Sequence, residues 1–367
     1  MRIAQVSPLY ETVPPKFYGG TERVVAYLTE ALVELGHDVT LFASGDSRTS
    51  ARLVAVCPTA LRLAGRRVEP IACHFLQLQA VMDRSAQFDI IHFHTDLLHY
   101  LAAPLFRAPH LTTLHGRLDL PDLAPLYARY RHMPVVSISQ AQRKPLPLAR
   151  WIGTVHHGLP RDLYARGGGE GGYLAFLGRV SPEKRVDRAI EIARRTGRHL
   201  KIAAKVDAAD RDYFEDEIRP LLDAPGIDFV GEIGEREKQA FLGEASALLF
   251  PIDWPEPFGL VVIEALACGT PVIAFPHGSV PELIEHGRTG FVVASVDAAV
   301  DAVGRLSEIS RATCRSIFER RFSMERMARD YVKLYHRLEV PQRHRRGVDR
   351  AALEAELPAA AAAGTDA

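Results

Sequence analysis

Glu256-Pro257-Phe258-Gly259-Leu260-Val261-Val262-Ile263-Glu264-Ala265-Leu266-Ala267-Cys268-Gly269-Thr270-Pro271 is the stretch that decides how this chain is read. The apolar run before it, Ala247 to Ile252, has the character of a buried parallel strand. A turn bearing Pro and Gly follows, then an apolar helix from about Gly259 to Cys268. Gly269 stands where a helix-terminating glycine belongs, Pro271 blocks continuation, and Val272 to Phe275 is the next strand. Glu256 is thereby placed on the loop beyond a strand's carboxyl end, and Glu264 inside an otherwise apolar helix.

A glutamate in that helix has two readings. It can be a solvated or hydrogen-bonded group on the outer face, or a group held for a ligand. The preceding loop, the free N–H groups of the helix start and the Glu-x7-Glu spacing act together for the second reading. A helix N-terminus after a parallel strand is where α/β proteins hold anionic or hydroxylated ligands. The paired acids of a glycosidase fit poorly. The helical residues from Gly259 to Glu264 rise ~7.5 Å, which suits two grips on one ligand rather than two groups flanking one bond.

Working outward, the 367 residues suggest two domains. Lys+Arg and Asp+Glu balance at 45 each, so no global field favours a polyanion, and nucleic acid is not an expected partner. Residues 1–160 hold 16 Lys/Arg against 12 Asp/Glu, which permits at most a peripheral membrane contact. Cys57, Cys73, Cys268 and Cys314 are widely spaced and read as buried or incidental thiols, not a zinc site or disulfide framework. MRIAQVSPLY lacks the apolar core of a signal peptide, and no run has the length of a membrane span. A cytoplasmic location is expected.

Strands and helices alternate along the chain. Arg2 to Val6 reads as a strand, Ser7 to Gly20 as a loop, and Gly19-Gly20-Thr21-Glu22 opens a helix over Val24–Leu35. This βαβ unit lacks G-x-G-x-x-G, which argues against a nicotinamide or flavin dinucleotide. Gly19 and Gly20 suit either a plain turn or the close approach of a phosphate or sugar. Later strands end in His94, His115, Ser139 and His156-His157-Gly158, so polar residues gather at strand carboxyl ends. The glycine density of 161–172 reads as an interdomain linker and a hinge. A fresh α/β pattern begins at Tyr173, with strand Leu174–Leu177 leading to Gly178-Arg179-Val180-Ser181-Pro182-Glu183-Lys184. Ser181 reads as an N-cap with Pro182 at the first helical position. Lys184 in that first turn opposes the helix dipole, so local stability does not explain it; a diphosphate near the turn would explain both Arg179 and Lys184, and ordinary surface cations are the alternative.

The Glu256-x7-Glu264 stretch closely resembles the signature of retaining glycosyltransferases of family 4, the glycosyltransferase group 1 proteins with a GT-B fold. The resemblance spans about residues 1–340. It implies an α/β protein of two Rossmann-like domains facing across a cleft: 1–160 on the acceptor side, 173–322 holding the nucleotide sugar, and a terminal helix at about 323–340 returning to the first domain. Residues 341–367 are expected to be disordered. By resemblance, Glu256 contacts hydroxyls of the transferred sugar and Glu264 the ribose, and His115, in Leu111-Thr112-Thr113-Leu114-His115-Gly116, approaches the sugar from the acceptor side. Gly19 and Gly20 face the donor, Arg179 and Lys184 hold its diphosphate with the N–H groups of Phe258, Gly259 and Leu260, and the loop carrying Ile233 edges the base. Gly278-Ser279-Val280-Pro281-Glu282 resembles the family's G-x-P-E turn and is expected to shape the cleft floor. His157-Gly158 stands where Asn-Gly is common, and Arg185 where Gly often follows the lysine.

The activity implied is retaining transfer from a nucleoside-diphosphate sugar, with UDP-glucose as best donor, to an unidentified acceptor. No cofactor is expected, and no metal: metal-dependent transferases commonly hold the cation with an Asp-x-Asp pair, the chain is read as lacking one, Asp207 has no acidic partner two residues away, and the cationic work falls to Arg179 and Lys184. The competing readings are a non-catalytic nucleotide-sugar-binding protein and a sugar-nucleotide epimerase of the same fold.

Overall fold

The computed structural model describes residues 1–16, 19–65 and 67–339, so the expectation for 341–367 lies outside the described residues. The first sheet is built from β1 (Arg2–Val6), β2 (Asp38–Ala43), β3 (Arg52–Ala55), β4 (Ile90–Phe93), β5 (His110–Thr113), β6 (Pro134–Ser137) and β7 (Arg150–Thr154). These pair in the order β3-β2-β1-β4-β5-β6-β7, all parallel. The second sheet takes β8 (Leu174–Arg179), β9 (Leu200–Lys205), β10 (Ile227–Gly231), β11 (Ala247–Phe250), β12 (Val272–Ala274) and β13 (Gly290–Val292). Its order is β10-β9-β8-β11-β12-β13, again all parallel. The protein therefore has two parallel-sheet α/β domains.

Helices cover both faces of each sheet, which is why β4, β6, β11 and β12 are buried at every position. Alternation along β1 sends Ile3 to one face, beside Leu28 and Met327, and Ala4 and Val6 to the other, beside Leu78 and Val81. Each sheet reverses its strand order once, between β1 and β4 and between β8 and β11. Ligands bind outside the carboxyl ends of strands at such points. The residues after β1 and β4, and those after β8 and β11, are thus singled out by topology alone.

The Met324–Glu339 helix packs on the first sheet, with Met327, Ala328, Tyr331 and Tyr335 among Val24, Leu28 and Ile90. Each such aliphatic side chain contributes about 1.5–3 kcal/mol relative to exposure. The chain crosses between domains twice, side by side. The Leu159 N–H donates to Phe322 O at 2.9 Å, and the Met324 N–H to Leu159 O at 2.9 Å. Gly158 lies in this crossing, and a Cβ there would overlap the Ser323 carbonyl.

The 161–172 stretch carries no helix or strand, yet its glycines do not form a free hinge. The N–H groups of Gly167, Gly169 and Gly171 donate to Cys268 O, Gly243 O and Glu244 O at 2.9, 3.0 and 3.1 Å. A Cβ on Gly167 would overlap the Gly243 backbone. The glycines serve close packing onto the second domain, downstream of the crossing at Gly158–Leu159.

The turn after β8 also departs from expectation. Pro182–Lys184 is one 3-10 turn, and the Ser181 hydroxyl is buried without a partner instead of capping it. The helix proper begins at Val186, after Arg185 takes the left-handed conformation at φ 56°, ψ 53°. That conformation is the physical reason a glycine suits the position. Arg185 offsets the strain by binding Asp187 through Nε at 3.0 Å and Nη2 at 2.6 Å, and Asp253 through Nη1 at 3.0 Å.

Candidate active site

The crevice between the two sheets is built from the loops at the two switch points. After β11, residues 251–259 run to the Leu260–Ala267 helix, which Gly259 enters at φ 85°. Burial of Val262, Ile263, Ala265 and Leu266 explains why this segment is helical and where it docks. The Gly278 turn braces the loop from below. The Ser279 N–H donates to Glu256 O at 3.0 Å and its hydroxyl to Phe258 O at 2.6 Å, while a Cβ on Gly278 would overlap Glu256 backbone. The Gly278–Glu282 turn, spaced G-x-x-P-E, thus fixes the height of Glu256 in the cleft.

Glu256 accepts from the Lys184 ammonium and from Trp254 Nε1 at 3.1 Å, with its side chain 12% exposed. Lys184 Nζ also lies 4.7 Å from the Trp254 ring centroid. The sequence assigned these two residues to different parts of a ligand; in the folded chain they are each other's partners. Arg179 at the end of β8 contacts Glu183 at 3.3 Å and Asp207 at 3.4 Å, and Lys205 contacts Asp207 at 2.9 Å. The cations expected to hold a diphosphate are therefore balanced by carboxylates.

Glu264 is 5% exposed and its Oε1 accepts from Lys238 at 2.8 Å, with Arg23 of the first domain at 3.5 Å. Burial pushes its pKa up, but the charges of Lys238 and Arg23 outweigh burial and the net shift is downward. Arg23 also pairs with Glu235, which accepts from the Tyr164 hydroxyl. This cross-domain cluster was not foreseen. Arg23 follows Glu22 in an ordinary amphipathic helix and Lys238 lies in a charged one, so neither stood out until the fold brought them to Glu264.

Gly20 meets Leu260 across the cleft, where an added Cβ would sit 3.7 Å from Leu260 Cδ1, and Gly19 is packed against Pro15 and Glu11. Phe258 is buried, 4.7 Å edge-on from the His157 ring. Ile233 is half-buried on the loop after β10, against the second core.

His115 stacks on His157 at 5.3 Å, its Nε2 lies 2.9 Å from His94 Nδ1, and its Nδ1 is buried with no partner. Burial lowers its pKa to about 3. His94 and His157, which also follow strand ends in the sequence, flank it directly. Glu282 is a further cross-domain group. It accepts from the N–H groups of Gln140 and Ala141 at 2.8 Å each and pairs with His156 at 3.1 Å. The Ser139 hydroxyl completes that seam by donating to Pro257 O at 2.6 Å.

The basis of the metal-free expectation needs correction. Three residues beyond Asp207, Asp210-Arg211-Asp212 does form an Asp-x-Asp pair, on the short turn after β9. Asp212 is exposed there, and among the described residues no group of three or more His, Cys, Asp or Glu side chains is arranged to hold an ion. The cysteines are free thiols, two of them buried.

Comparison with known proteins gives the fold and site a context. Residues 168–321 match the model of glycosyl transferases group 1, and residues 18–157 that of glycosyltransferase family 4. A phosphatidyl-myo-inositol mannosyltransferase of Propionibacterium freudenreichii subsp. shermanii is 25% identical over 360 residues, covering 88% of this chain and 87% of that protein. An alpha-maltose-1-phosphate synthase of Mycolicibacterium smegmatis is 26% identical over 339 residues, covering 80% and 84%. Among solved structures, AviGT4, a glycosyltransferase involved in avilamycin A biosynthesis, superposes with a TM-score of 0.73 at 25% identity, covering 93% of this chain and 98% of that one. With the two-sheet topology and the Glu256–Glu264 loop and helix in place, the chain belongs to the GT-B glycosyltransferases, its first half of the family 4 type and its second half of the group 1 type.

Proposed function

We propose that this glycosyltransferase is a hexosyltransferase that moves the sugar of UDP-glucose to an acceptor with retention of anomeric configuration and without a divalent metal. The observation that carries the reading is the convergence of Lys184, Glu256 and the start of the Leu260–Ala267 helix at the switch point of the second sheet. UDP-glucose is chosen as the common donor of the family that the motif resembles. No helix among the described residues is long and apolar enough to cross a membrane.

The chemistry follows from the pairings. Breaking the glycosidic bond to the diphosphate builds negative charge on the leaving group, which preorganised cations and N–H dipoles stabilise. The β-phosphate oxygens replace Glu256 as the partner of Lys184, and Arg179 turns from Glu183 and Asp207 toward the same group. Glu256, released, accepts hydrogen bonds from hydroxyls of the transferred sugar. The helix start after Gly259 adds the equivalent of ~0.5 elementary charge, presented by the N–H groups of Phe258, Gly259 and Leu260. Glu264 accepts from ribose hydroxyls, Ile233 borders the base, and Gly19 and Gly20 let the first domain close on the donor. His115 meets the sugar from the other side. No residue here is assigned as a covalent nucleophile.

The test is release of UDP or GDP across a panel of nucleotide sugars, in EDTA beside magnesium and manganese, with the product anomer read by NMR. UDP release from UDP-glucose in EDTA with a retained anomer is expected. Loss in EDTA restored by metal overturns the metal-free arrangement, and an inverted product overturns retention. Binding of UDP-glucose without turnover under any acceptor would favour the non-catalytic reading.

A further inference from the structure

Gln5 sits in the middle of β1, wholly buried, in register with His92 on β4. A buried amide is costly unless both of its ends are paired, and here both are. Its Nε2 donates to the Tyr335 hydroxyl at 3.2 Å, and its Oε1 lies 2.8 Å from His94 Nε2. A carbonyl oxygen only accepts, so the proton in that contact belongs to His94 Nε2.

Burial keeps His94 neutral, well below the ordinary histidine pKa. A neutral ring has one N–H, already given to Gln5, so His94 Nδ1 is a bare lone pair. His115 Nε2, 2.9 Å away, must donate to it. His115 is also neutral, and its single proton is spent there. Its Nδ1 is left as an acceptor, and this is the buried atom with no partner in the protein. At the far end the Tyr335 hydroxyl is held 2.8 Å from His92 Nδ1, and His92 Nε2 lies 2.7 Å from Thr113 Oγ1. Thr113 Oγ1 in turn meets the Tyr331 hydroxyl at 2.9 Å. The returning terminal helix therefore anchors the chain of bonds that ends at His115.

We propose that Gln5, held by Tyr335 and acting through His94, is a positioning residue that fixes His115 as its Nε2–H tautomer, so that His115 Nδ1 offers the cleft a hydrogen-bond acceptor for a hydroxyl of the bound sugar. That the ligand is a sugar rests on the transfer reading above; the tautomer does not. His115 then cannot donate a proton to the leaving group. It selects a sugar carbon that bears a hydroxyl, since a hydrogen or fluorine in that place leaves Nδ1 unpaired.

Turning the Gln5 amide over would reverse every bond in the chain, so the tautomer of His115 is a direct readout. The full chain, labelled with ring-15N histidine and free of ligand, is examined by long-range 1H–15N correlation, the His115 signals being those lost in His115→Asn. Protonated Nε2 with unprotonated Nδ1 is expected, and protonated Nδ1 overturns the proposal. In Gln5→Leu the His115 signals should shift toward a mixture of tautomers; an unchanged Nε2–H signature in the folded variant removes Gln5 from the role. Should Gln5→Leu not fold, Tyr335→Phe, which deletes only the hydroxyl that pins the amide, carries the same test with the same two outcomes.

UDP and UDP-glucose are then titrated separately. A shift of His115 Nδ1 with UDP-glucose but not UDP is expected, and removal of the contacted hydroxyl should weaken sugar-nucleotide binding roughly tenfold. UDP-glucose that binds without moving Nδ1 overturns the acceptor role. Failure of every nucleotide sugar to bind would instead overturn the transfer reading and leave the tautomer result standing.

Discussion

Replacing Glu264 by Gln deletes one charge from the cross-domain cluster while keeping the side-chain shape. Its carboxylate is 5% exposed, and its partners Arg23 and Lys238 are 13% and 14% exposed. Removing one member of a fully buried pair costs ~3–5 kcal/mol, and an exposed pair contributes only ~0–1 kcal/mol. Glu235 remains, 32% exposed and already 3.6 Å from Lys238, so both cations keep a screened partner. The expected loss is about 2 kcal/mol, which lowers Tm by roughly 4–8 °C in a domain of this size.

Nucleotide binding tests the other half of the assignment. Hydrogen bonds to a charged group contribute ~1.5–3 kcal/mol and the Gln carbonyl retains part of that, so UDP affinity should fall about tenfold. The assays are calorimetric titration with UDP and thermal unfolding of both proteins across pH. The folded-state pKa of Glu264 lies below its ordinary value of 4.5. Its contribution to stability is therefore full above that ordinary value and is lost as pH falls through the lower, folded-state one. The Tm gap between wild type and Glu264→Gln should be widest near neutrality and close in acid. A folded Glu264→Gln with wild-type UDP affinity would refute the ribose contact. A Tm gap independent of pH would refute the electrostatic argument.

Gly158→Ala should destabilise the chain by about 2 kcal/mol or more, because the new Cβ meets the Ser323 carbonyl in the crossing; denaturant unfolding measures it. Glu282→Ala strips the Gln140 and Ala141 N–H groups and His156 of their acceptor, and increased hydrogen exchange at Gln140 and Ala141 is the expected sign. Domain closure on UDP, followed by small-angle scattering, should survive rigidifying substitutions at Gly168 and Gly172, because that stretch is bound to the second domain; loss of closure in those variants would restore it as the hinge. Lys184→Ala should reduce UDP affinity and turnover together, whereas Glu256→Ala should lower turnover with UDP affinity nearly kept; kcat and Kd for each variant separate the two roles.

By itself the sequence determined the alternation of strands and helices, the helix after Gly259 with its stop at Gly269, and the gathering of polar residues at strand carboxyl ends. These follow from local rules: apolar runs too short for anything but buried strands, and glycine where the chain must turn. It set Arg179 and Glu256 beyond the carboxyl ends of strands, where ligands bind in parallel sheets, while the gathering of Glu256, Glu264, Arg179, Lys184 and His115 at one cleft came from the resemblance. It could not show that Lys184 and Glu256 are partners, since they lie on loops after different strands. Nor could it show that Arg23, from the other domain, reaches Glu264, or that Tyr335 is joined to His115 through Gln5 and His94. Those pairings join residues as far apart as 330 positions, and only the tertiary structure decides them, because a hydrogen bond is set by distance and direction in space, which periodicity along the chain does not encode. The same holds for the glycines of 161–172: their density excluded an element, but packing against Gly243 decided that they bind the second domain instead of bending between two.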